Sequence, residues 1–130
     1  MRSGWTGAAS APRWYCLAVA LFLGVRATST LVAGASFDLP GDGWRSLWQL
    51  AMVAVLAVGI ARPRAAGVAA ASVGLIYAMA TGLEVLHGTD LAGAVPVDMR
   101  DRFVHPLLAG LAAFCLLLGK RRSQDAIPDR

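Results

Sequence analysis

Two carboxylate and imidazole pairs stand out in this 130-residue chain: Glu84 with His87 three residues on, and Asp101 with His105 four residues on. On a helix either spacing sets both side chains on one face. A carboxylate beside an imidazole can hold or pass a proton, or ligate a metal where further ligands converge. Two such pairs on antiparallel neighbours would set E-x-x-H against D-x-x-x-H, a ligand type found in metal-binding bundles. Ordinary capping and interfacial hydrogen bonding is the plainer alternative, and a proton-linked or gating role is the third.

Arg26 is the fifth candidate. By helical rise it lies about 18 Å beyond Trp14 and about 14 Å short of Ala35. A charge at that depth in a membrane costs several kcal/mol unless it pairs or snorkels. Glu84, the single glutamate, sits at a height about 11 Å different, so the two meet directly only if their helices tilt or shift. The simpler expectation has Arg26 reaching outward to water or to Asp38. No catalytic residue, cofactor motif or metal site is assigned. There is no Ser-His-Asp order and no phosphate-cradling glycine loop, and Cys16 and Cys115 form no CxxC.

The elements that must carry these groups are apolar. With 57% hydrophobic and 15% charged residues and a mean hydropathy of +0.58, the chain is too greasy for a soluble domain of its size. Four stretches are long enough to cross a bilayer: 14–35, 44–61, 65–86 and 98–119. Residues 1–13 are expected to be disordered, 14–119 to form one membrane domain, and 120–130 to be a basic, then polar tail. Trp14, Tyr15, Trp44 and Trp48 sit where an interfacial aromatic belt belongs. Asp38, Pro40 and Gly41 mark a polar turn, and Arg62-Pro63-Arg64 a tight hairpin that proline and two charges keep out of the helix. Asp98 is a natural N-cap, with an acid three residues on. Pro106 falls inside the last span and should kink it.

The central stretch AAGVAAASVGLIYAMATGLEVL carries Ala66, Ala70, Gly74, Ala78 and Gly82 at every fourth position. Cys16, Ala20, Gly24 and Thr28 repeat the pattern in the first span. Small side chains let helices approach closely in lipid, so both stripes are read as packing faces, within a bundle or toward a second copy or a membrane-protein partner.

The net charge of +4 does not point to nucleic acid, because the basic residues flank the apolar runs rather than line a face with aromatics. Eight of them fall at the two termini and the Arg62 hairpin, against Arg45, Arg100 and Arg102 on the other side. The positive-inside rule then puts both termini in the cytoplasm. The expected fold is all-α, a four-helix transmembrane bundle running up-down-up-down in the plasma membrane. Lys120, Arg121 and Arg122 end the last span and can attract anionic lipid headgroups. The first stretch also reads as a secretory leader, with Ala33-Gly34-Ala35 as its cleavage site.

From Leu47 onward the chain resembles a family of small bacterial membrane proteins of about four helices, catalogued as a domain of unknown function. The resemblance rests on VDMRDRFVHPLLAGLAAF, Val97 to Phe114, where an acid four positions before a histidine opens an apolar run. It implies the four-helix architecture and singles out Asp101 and His105. The family also carries a histidine early in its second helix, where this chain has Gln49.

Overall fold

The structure, a computed structural model, describes residues 10–88, 90–91 and 93–125, the side chains at 87, 90 and 122–125 excepted. Four helices form an antiparallel bundle: α1 Ala11–Val32, α2 Asp42–Ala61, α3 Ala66–His87 and α4 Met99–Asp125. All four contain a segment long and apolar enough to cross a membrane, and the all-α four-helix fold read from the hydropathy is the fold found. A 3-10 turn, Pro63–Ala65, joins α2 to α3. The loop expected between α3 and α4 contains a small antiparallel ribbon, β1 Asp90–Leu91 against β2 Val95–Pro96, with Asp90 opposite Pro96. The two ends of the bundle are called here the ribbon end and the hairpin end.

Several boundaries differ from the hydropathy reading for local reasons. α1 begins at Ala11 because Pro12 suits a first turn, where its missing N–H costs nothing. Arg13 is therefore ordered, and its Nε and Nη2 both donate to the Ile60 carbonyl, at 3.0 and 2.8 Å. A cation there satisfies an orphan acceptor at the C-terminus of α2. α4 runs on through Lys120 and Arg121 to Asp125, so the first part of the tail is helical. Residues 1–9 and 126–130 lie outside the described residues. Gly88 ends α3 with φ +89°, and its N–H reaches the Glu84 carbonyl at 2.9 Å. That left-handed conformation is one a side chain would strain.

The core is a seam of residues three and four apart on each helix. α1 gives Tyr15, Cys16, Val19, Leu23 and Ala27, and α2 gives Met52, Leu56 and Gly59. From α3 come Ala66, Ala69, Ala70, Val73 and Tyr77, and from α4 Leu108 and Ala112. Cys16 and Cys115 are both free thiols.

Only part of the small-residue stripe of α3 is buried within the bundle. Ala66, Ala70 and Gly74 are buried, whereas Ala78 and Gly82 are exposed. A four-residue step overshoots one helical turn by about 40°, so five positions drift through about 160° and cannot all face one neighbour. A Cβ on Gly74 would stand 2.5 Å from the Ala112 Cβ, but one on Gly82 would meet nothing within 4 Å.

Across the seam the Tyr15 hydroxyl donates to the Leu108 carbonyl at 2.9 Å, joining α1 to α4 in the core. Tyr15→Phe should cost less than about 1 kcal/mol, since interhelical hydrogen bonds in membranes average about 0.6. Thermal unfolding in detergent measures it, and a larger loss would mean that the ring had also moved.

Candidate polar site at the ribbon end

Polar residues take over the same seam as it approaches the ribbon. Ser46 and Gln49 continue the buried register of α2, Glu84 that of α3, and Asp101 and His105 that of α4. Arg26, one position from Ala27, adds a cation from α1. Four of the five candidates named from sequence thus converge: Arg26, Glu84, Asp101 and His105. The fifth, His87, occupies the last position of α3, and its side chain lies outside the described residues.

Asp101 is the hub. Its side chain is fully buried, and Arg26 Nη2 lies 2.8 Å from Oδ1 while Arg45 Nη1 lies 3.2 Å from Oδ2. The Arg26 approach is not along an N–H direction, so it is charge attraction more than a directed hydrogen bond. Arg45 also lies 3.4 Å from Asp98 Oδ2. Arg26 therefore does not reach for Asp38 or open water. It rises along the bundle to a carboxylate on α4, which its long side chain can do from about 9 Å below the end of α1.

Asp98 and Asp101 close a reciprocal cap at the start of α4. The Asp101 N–H donates to Asp98 Oδ1 at 3.0 Å, and the Asp98 N–H donates to Asp101 Oδ2 at 3.3 Å. This is the capping-box geometry with aspartate in the third position. Partial burial pushes the Asp98 carboxyl up, but the Asp101 N–H and the charges of Arg45 and Arg26 outweigh it and hold the group below the usual carboxylate range. A depressed carboxylate stabilises the fold above its unfolded range and loses that effect as pH falls through its folded value. Asp98→Ala should cost about 1 kcal/mol at neutral pH, as cap deletions do. The deficit should shrink on acidification below about pH 4, as read by thermal unfolding against pH. A deficit that stays constant well below that pH would contradict the cap's ionised role.

Deeper in the site, His105 Nδ1 pairs with Glu84 Oε1, joining α4 to α3, and His105 Nε2 lies 4.0 Å from Asp101 Oδ1. Both residues are almost fully buried. Trp48 stands edge-on to the imidazole, with centroids 5.5 Å apart at 83°, and Tyr77 is tilted against it by 43° at 5.1 Å. Trp48 is thus half-buried over the site. The Tyr77 hydroxyl is buried without a hydrogen-bond partner among the described residues.

The loops close over this end. The Gly41 N–H reaches the Ala94 carbonyl at 3.1 Å, and Arg102 Nη2 reaches the Gly88 carbonyl at 2.8 Å. Exposure falls from 50% at Asp98 through 14% at Arg45 to 0% at Asp101. The site therefore communicates with one end of the bundle. Toward the other end Leu23, Leu56, Val73 and Ala112 fill the seam.

Two guanidiniums face three carboxylates, so one proton on the Glu84 and His105 pair makes the group neutral. Among the described residues no three His, Cys, Asp or Glu side chains are placed to hold a metal ion, and both oxygens of Asp101 are already engaged by arginine.

Sequence reading missed Arg45, Gln49, Ser46 and Tyr77 as members of the site. Gln49 and Ser46 were legible in principle, since they continue the Met52, Leu56 and Gly59 register. Arg45 was not, because its partner is fixed by how α2 lies against α4. Comparison of the chain with family models, curated proteins and solved structures finds no match, so the site rests on its own geometry.

Proposed function

We propose that this is a non-enzymatic multi-pass membrane protein that works through helix packing, as an oligomer or as an accessory subunit. Its packing is set by one proton held between Glu84 and His105, and both termini lie on the cytoplasmic side of the plasma membrane. The observation that carries this reading is the buried ionisable group to which all four helices contribute at one end. Ionisable side chains are costly inside a membrane, and their presence there is a functional signal by default. Adding or removing one proton changes the contact that ties α3 to α4, which is how protonation switches act on packing.

The second reading is a small transporter or proton-linked channel using Arg26, Glu84 and His105. It requires a further conformation, because the apolar seam closes the hairpin end. The outward end of the α3 stripe, Ala78 and Gly82, favours the packing reading, since it leaves small residues on an exposed face.

Gly82→Cys, placed in a background lacking Cys16 and Cys115, reports helix approach between copies or to a partner. Spin-labelled before reconstitution in lipid nanodiscs, it should give a distance between copies or to a partner that changes between acid and alkaline pH and stops changing in His105→Gln. A distance that is absent, indifferent to pH, or equally pH-dependent in both backgrounds would oppose this reading. Proton flux in proteoliposomes that is lost in Glu84→Gln would establish the transporter instead.

A further inference from the structure

A groove of about 740 Å³ runs between α1 and α4 on the outside of the bundle. Its apolar walls include Phe22 and Val25 on α1 and Phe103 and Val104 on α4, and each wall carries one arginine, Arg26 and Arg100. Phe22, Val25 and Phe103 are all well exposed, so the groove faces whatever surrounds the bundle.

The order along the two walls is the informative feature. The helices run antiparallel, yet on both of them the arginine lies toward the ribbon end and the apolar residues toward the bundle's middle. On α1 the apolar positions precede Arg26, and on α4 they follow Arg100. Arg26 and Arg100 share a level because Arg26 is paired with Asp101, the neighbour of Arg100. Arg100 makes no ion pair or hydrogen bond among the described residues. Arg26 uses Nη2 on Asp101, which leaves its Nε and Nη1 without a partner among those residues.

Two guanidinium groups at the mouth and an aliphatic and aromatic trough leading inward match one amphiphile: an anionic head and a hydrocarbon tail. The volume lies in the range of about 300–1,000 Å³ that suits a small molecule or a single chain. We propose that this groove holds one acyl chain of an anionic phospholipid from the leaflet at the ribbon end, its phosphate seated on Arg100 with Arg26 beside it. Arginine suits that phosphate because its planar fork offers two parallel N–H donors. This site is distinct from the basic run Lys120 to Arg122, which lies at the hairpin end. It does not depend on the proton assigned to Glu84 and His105.

The test uses the full chain reconstituted in phosphatidylcholine vesicles containing phosphatidylglycerol, then extracted and analysed by native mass spectrometry for retained lipid. One phosphatidylglycerol per chain should be enriched over its share of the vesicle. Arg100→Gln should cut that enrichment about fivefold, the effect of one basic residue near a membrane surface. Val25→Trp, on an exposed wall of the groove, should abolish it while leaving thermal unfolding unchanged. Neutralising Lys120, Arg121 and Arg122 together should leave it intact. Equal enrichment in wild type, Arg100→Gln and Val25→Trp would overturn the proposal. So would loss in the triple variant alone, or retention of a neutral lipid or free fatty acid in place of the phospholipid.

Discussion

Asp101→Asn should be the most damaging conservative substitution in the chain, lowering stability by about 3 kcal/mol. Breaking a buried ion pair from one side costs about 3–5 kcal/mol because the opposite charge is stranded. The lower end applies because the two arginines keep 21% and 14% of their side chains exposed and can shift toward water. Asparagine keeps the size and can still accept the Asp98 N–H, so the loss reports charge rather than shape. The double variant Arg26→Gln with Asp101→Asn should lose less than the two single losses added, because the stranded cation is gone. Additive losses in that cycle would mean that the two residues do not interact. Chemical or thermal unfolding in one detergent gives all four corners.

The second large effect concerns the hairpin half of the bundle, where the helices meet without polar groups. Gly74→Ala should destabilise by about 1–3 kcal/mol, the usual cost of overpacking, since its Cβ would lie 2.5 Å from that of Ala112. Helix propensity alone would favour alanine by up to about 1 kcal/mol, so a net loss means that packing wins. Ala112→Gly in the same chain should recover most of the loss by moving the missing methyl to the other helix. Gly82→Ala, in open space, should be neutral or stabilising. Rescue that fails, or a Gly82→Ala loss as large as that at Gly74, would contradict the α3 and α4 contact.

These two regions differ in how far they could be read from residues alone. Span lengths, the Arg62-Pro63-Arg64 break and the Asp98 cap depend on composition and on neighbours in the chain, and all were legible. The pairing of charges was not. Helical rise places Arg26 and Glu84 at unequal heights, but it says nothing of which helix lies beside α1 or how far an arginine climbs. Arg26 chose Asp101 because α1 packs against α4 as well as α2, an adjacency between the first and last helices that hairpin logic does not supply. Glu84 then took His105 rather than an arginine.

The stripe of small residues and the buried register of α3 diverge for a geometric reason: a period of four is not the period of the helix. The buried register on α3, Ala66, Ala69, Ala70, Val73, Tyr77, Ala80 and Glu84, steps by three and four and stays on one face. Followed to its end, that register arrives at the glutamate. The equivalent steps on α4 link Asp101, His105, Leu108 and Ala112. The polar site is therefore the ribbon end of the hydrophobic seam, written with titratable residues.

The claim that His105 and Glu84 form one buried unit with Asp101 can be measured at the imidazole itself. With His87→Gln leaving a single histidine, the ring nitrogens of His105 can be followed by solid-state NMR in lipid bilayers. The expected result is a ring signal shielded from solvent exchange that shifts on Glu84→Gln and again on Asp101→Asn. An imidazole that exchanges freely with water and ignores both substitutions would contradict it.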